Sequence, residues 1–129
     1  MEPRTRDHLD VALRNREFAA WLLDSATDPP APANEWAAIV AFYSAVHIVN
    51  AYLWEVHRVE PVNHRQRTQY LINDASLSAI RGDFRTLSRL GWSARYDPAV
   101  RLSTQRALEA LDRLEQIINL ATAELPSEE

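Results

Sequence analysis

Histidine and arginine crowd one short stretch of this 129-residue chain. His57-Arg58 is followed, after Val59-Glu60-Pro61-Val62, by Asn63-His64-Arg65-Gln66-Arg67. An imidazole exchanges protons near neutral pH. A guanidinium grips a phosphate through paired hydrogen bonds and stabilises charge that builds on phosphorus. Arg58 and His64 bracket a five-residue interval. Together they form a minimal set for RNA cleavage without a metal: a base takes the ribose 2′-OH proton and a cation steadies the phosphorane. In this reading Arg58 and His64 are catalytic. Asn63, Arg65 and Arg67 position RNA, and Arg95 is a second phosphate anchor facing the loop that carries His64. The plainer alternative has His64 capping the following helix and Arg58 in solvent.

Other chemistries are closed off. Cysteine is absent, which excludes disulfides, thiolate metal sites and a cysteine nucleophile. Glycine occurs only at Gly82 and Gly91. That excludes a phosphate-binding glycine loop, a dinucleotide fingerprint and a serine nucleophile elbow. No Glu-x-x-His pair exists for a di-iron carboxylate bundle. Glu60 and His64 alone do not make a metal site. His47 and Asn50 lie three apart on an apolar segment and read as a satisfied polar pair in a core or at a dimer seam. No metal and no cofactor is expected.

Charge is unevenly spread. The chain carries 14 basic and 18 acidic residues, a net −4, and every basic residue is arginine. Residues 65–98 hold six arginines against three acids, whereas 1–64 hold five against nine and 99–129 hold three against six. Arg81, Arg85 and Arg89 step by four, so they share one helix face. Positive potential is therefore expected over 64–95. It is either a solvated face or an anion-binding surface.

The positioning elements read as helices throughout. A first helix is expected over about 4–25, then a break at Asp28-Pro29-Pro30-Ala31-Pro32. Asn34 offers an N-cap for a second helix over about 35–57. A short third helix covers about 64–73. A fourth covers about 77–94, with Leu77, Ile80, Phe84, Leu87 and Gly91 on one face and Gly82 a possible kink point. Asp97-Pro98 signals the start of a last helix over about 98–124. The expectation is one all-α domain over 1–125, an up-and-down bundle of four to five helices, with a frayed tail at 126–129.

The run from Trp36 to Trp54 has 19 residues and no formal charge, close to the length that spans a bilayer. Ser44, His47 and Asn50 interrupt it, and Glu35 and Glu55 flank it without a basic cluster. It reads as the central helix of a soluble bundle, not a membrane span. With a charged start and no apolar leader, a cytoplasmic protein is expected. The second helix is apolar around nearly its whole circumference, which predicts a homodimer formed through it.

Three segments carry a family resemblance: "WAAIVAFYSAVHIVNAYLWE", "EPVNHRQR" and "LSRLGWSARYDP" before a final helix. In this order they resemble the HEPN superfamily of small bacterial and archaeal all-helical domains. Pro-x-Asn-His is similar to that family's Pro-x-Thr-His helix start, and Ala94-Arg95-Tyr96-Asp97-Pro98 to its Ala-Arg-Tyr-Pro segment. The resemblance implies a homodimeric helical bundle. It further implies a metal-independent endoribonuclease or RNA-binding component of a bacterial defence or toxin–antitoxin module. Active members carry an Arg followed within a few residues by a His, which Arg58 and His64 match. Val59 departs from the polar residue that often follows the Arg, and Pro61 places the pair across a loop. The alternative implied is a noncatalytic interaction module that pairs with an antitoxin or a nucleotidyltransferase-type partner.

Overall fold

The computed structural model describes residues 1–24 and 32–127. Among the described residues five α-helices follow in order: α1 (Pro3–Leu22), α2 (Ala33–His57), α3 (His64–Asn73), α4 (Arg81–Tyr96) and α5 (Thr104–Thr122), with a 3₁₀ turn at Ser78–Ile80 before α4. No strand occurs among the described residues. The expected all-helical bundle is therefore what the chain forms. Most of the proline-rich break and the last two residues of the tail lie outside the described residues.

The core is built around α2, which packs against α1, α4 and α5. Fourteen of its 25 residues are buried, among them Ile48, Val49, Leu53 and Phe42. Small side chains allow this. Ala12 and Ala19 on α1 and Ala37, Ala38, Ala41 and Ala45 on α2 are all fully buried, so the backbones approach closely. Ser44 Oγ donates to the Ala12 carbonyl at 2.7 Å across the α1–α2 contact. By length and composition α2 could cross a membrane, but most of that stretch lies inside the bundle. Burial against the neighbouring helices accounts for its apolarity.

Several ends differ from the sequence reading. α2 starts at Ala33, and the Asn34 side chain does not cap it: Nδ2 donates to Leu102 O and Thr104 Oγ1. α5 starts at Thr104, not at Pro98. Asp97 closes a turn onto the Ala99 N–H, while Ser103 Oγ accepts from the Arg106 N–H and caps the helix. Glu35 accepts from the Leu102 N–H, so the segment before α5 is tied to the start of α2. The fourth apolar face is buried as expected, Leu77 and Ile80 included, though these two precede α4. Gly82 then falls in the first turn of α4 and marks no kink.

Gly91 sets the α2–α4 distance. A Cβ there would stand 2.8 Å from Phe42 Cβ. Only glycine lets α4 settle onto Phe42 at this depth.

Candidate nucleic-acid interface

α3 begins with Asn63 as its N-cap, whose side chain accepts from the Gln66 N–H at 2.9 Å. That turn sets His64 and Arg67 three apart, on one face. Arg67 is buried, at 6% exposure. Its Nε donates to Asn50 Oδ1 of α2 at 3.1 Å, and its Nη1 lies 2.9 Å from His64 Nδ1. Burial pulls the guanidinium below its ordinary pKa, yet an arginine stays charged. Because arginine can only donate, His64 Nδ1 must accept, and the ring proton sits on Nε2. Partial burial, then the Arg67 charge, push His64 below its ordinary pKa. His64 is thus a neutral hydrogen-bond donor at neutral pH. Phe42 backs the ring, with centroids 5.6 Å apart.

His64 lines a small cleft of about 40 Å³ with Ile39, Phe42, Tyr43, Gly91, Trp92, Arg95 and Tyr96. The Arg95 guanidinium lies over two rings, 5.6 Å from Tyr43 and 5.1 Å from Tyr96. Trp92 and Tyr96 sit one helical turn apart, centroids 4.3 Å from each other. Both are exposed, at 62% and 54%. A hollow of about 610 Å³ shares Ile39, Arg95 and Tyr96 with this cleft and adds Trp36, Glu35 and Arg101. The arrangement offers an anion one exposed cation and one neutral donor. Exposed rings beside them can stack on a planar base.

Of the residues singled out from sequence, the structure brings His64 and Arg95 into one cleft and puts Arg67 behind His64. Asn63 is occupied as the cap. Arg65 is exposed on α3. Arg58 lies elsewhere. It ends α2 in the left-handed conformation at φ 57°, and its Nη1 donates to the Trp54 and Glu55 carbonyls at 2.7 Å each. Its Nη2 pairs with Glu2 at 2.9 Å. Arg58 and His64 share neither a hydrogen bond nor a cleft among the described residues.

His47 and Asn50 are both satisfied, but by different helices. His47 Nδ1 meets His8 Nδ1 of α1 at 2.9 Å, and His8 Nε2 meets Glu60 at 2.8 Å. Arg4 pairs with the same carboxylate. Burial, then the charges of His8 and Arg67, hold His47 below its ordinary pKa, while Glu60 opposes them weakly. His57 and Tyr52 both bond Asp74, tying the end of α2 to the end of α3. No group of three or more metal-binding side chains forms among the described residues.

Sequence reasoning did not pick out Tyr43, Trp92 and Tyr96 for this cleft. The available signal was the four-residue step from Trp92 to Tyr96 across Arg95. No protein-family model, curated protein or solved structure matches this chain.

Proposed function

We propose that the protein is a HEPN-like RNA-binding component of a bacterial defence or toxin–antitoxin module, and that RNA sits in the cleft of His64, Arg95 and the Trp92–Tyr96 rings. The observation that carries this is the meeting of a guanidinium lying over two rings, a neutral imidazole donor and an exposed, tilted pair of rings. Each matches one part of a nucleotide: phosphate charge, phosphate oxygen and base face. The resemblance supplies the biological setting. Binding fits the geometry better than cleavage through Arg58 and His64. Arg58 is held by α2 carbonyls and Glu2, and a proton accepted at His64 Nδ1 would displace Arg67.

The test is fluorescence anisotropy with a labelled mixed-sequence RNA. Arg95→Ala and His64→Ala are expected each to weaken binding several-fold, and the RNA is expected to remain intact in chelator. Unchanged affinity in both variants would overturn the cleft. Chelator-resistant cleavage lost in His64→Ala would restore the nuclease reading. No RNA binding at all would leave the interaction-module reading, with the exposed Phe18–Trp21 stack on α1 as its surface.

A further inference from the structure

We infer that the groove between α3 and α4 is the path of one single RNA strand, running along Arg81, Arg85 and Arg89 and ending at Trp92 and Tyr96 beside His64. This rests on the RNA reading above and gives it a substrate class.

At about 100° and 1.5 Å per residue, Arg81, Arg85, Arg89, Trp92 and Tyr96 fall within an arc of about 80° and span about 22 Å. They form one stripe: three cations followed by two rings. α3 runs antiparallel beside it. At one end Thr68, Leu71 and Ile72 share a hollow of about 140 Å³ with Arg81, Arg85 and Arg89. At the other end His64 shares its cleft with Trp92 and Arg95.

The three arginines are exposed, and no acid pairs with any of them among the described residues. The neighbouring acid Asp83 is turned to Arg113 of α5 at 2.8 Å. Like charges four apart on a helix repel, and although the chain as a whole is acidic, none of its described acids pairs with these three. A phosphate backbone supplies the missing charge in the same periodic form.

The rings decide the form of the nucleic acid. Exposed aromatic faces gain from a base only if the base offers its own face, which a duplex keeps inside its stack. A groove that tracks phosphate and then stacks bases is therefore suited to a single strand, with little dependence on sequence. An acidic helix could pair with the three arginines, but it makes no use of the rings at the end of the stripe.

The experiment uses the full chain and a labelled, unstructured RNA of roughly a dozen nucleotides, long enough for a site of this kind. Anisotropy across a salt series is read for wild type, for Trp92→Ala and for the combined Arg81→Gln, Arg85→Gln, Arg89→Gln variant. All four side chains are exposed, so circular dichroism and melting should match wild type. The strand should bind at least about tenfold tighter than its blunt duplex, consistent with the loss of base stacking. Losing three phosphate contacts should reduce the slope of log K against log salt by about 2. Trp92→Ala should weaken binding about tenfold and leave the slope unchanged. If the triple variant keeps its slope while Arg95→Ala still weakens binding, the path is wrong and the RNA reading stands. Duplex binding as tight as the strand also overturns the path. If neither RNA form binds, both inferences fall. A helical glutamate-rich peptide that needs the three arginines when RNA does not would assign the stripe to a protein partner.

Discussion

Arg67 Nη1 stands 2.9 Å from His64 Nδ1, and a guanidinium has nothing to accept with. This contact fixes the protonation geometry of the one histidine in the cleft. The expected NMR signature is a neutral His64 with its proton on Nε2 and a titration midpoint below the ordinary value. In Arg67→Gln the midpoint should rise, since the nearby charge is gone. Arg67 is buried and bonded to Asn50, so the same variant should lose about 1.5–3 kcal/mol of stability. A His64 midpoint that stays put in Arg67→Gln would contradict the pairing.

Stability should fall in two stages with acid. His47 and His64 are both depressed in the fold. The unfolded chain then binds more protons, so stability drops as pH falls through about 6.5. A second loss should come below about 4, where carboxylates protonate. Burial raises Asp74 and Glu60, but hydrogen bonds from His57 to Asp74 and from His8 to Glu60, with further partners, outweigh it and hold both low. Stability that rises as pH falls from 7 to 5 in chemical denaturation would contradict this, and His47→Gln should flatten the first stage.

The two glycines should respond in opposite directions to alanine. Gly91→Ala drives a methyl into Phe42 and should cost about 1–3 kcal/mol, weakening RNA binding as α4 is displaced from the His64 side. Gly82→Ala meets nothing within 4 Å and should gain up to about 1 kcal/mol from helix propensity. Thermal melts of both variants check the pair. Equal effects would mean that α4 does not lie on Phe42 at the depth described.

Arg58→Gly should be tolerated better than Arg58→Ala. Arg58 has the one positive φ outside glycine among the described residues, and glycine removes a strain of about 1–2 kcal/mol that alanine keeps. The exposed ion pair with Glu2 contributes about 0–1 kcal/mol. RNA affinity in Arg58→Gly should equal wild type. A fall in affinity at unchanged stability would move Arg58 into the site.

Local patterns were legible in the sequence where they are decided locally. The apolar run of α2, the start of α3 at His64 and the buried face of Leu77, Ile80, Phe84, Leu87 and Gly91 follow from local pattern, whereas the cap of α3 is Asn63 and not His64. The start of α5 was not legible, because two caps compete there. Asp97-Pro98 forms a turn, and Ser103 takes the helix once Asn34 and Glu35 hold Leu102. The His8–His47–Glu60 chain joins residues 39 and 52 positions apart, which no spacing rule reaches. Arg67 and His64 are only three apart, yet that Arg67 lies buried against Asn50 depends on how α3 docks on α2. Arg58 looked reactive from its neighbours in sequence. The left-handed end of α2 gives it different partners.

The most direct measurement of the central claim is NMR chemical-shift mapping of the full chain titrated with a short single-stranded RNA, following the His64 and Trp92 ring N–H signals and the Arg95 Nε–H signal. RNA binding at the cleft predicts that these three move together and saturate at one concentration, with Trp21 and Trp54 unmoved. Shifts confined to Trp21 and its surroundings on α1, or saturable RNA binding that leaves His64, Trp92 and Arg95 in place, would contradict it.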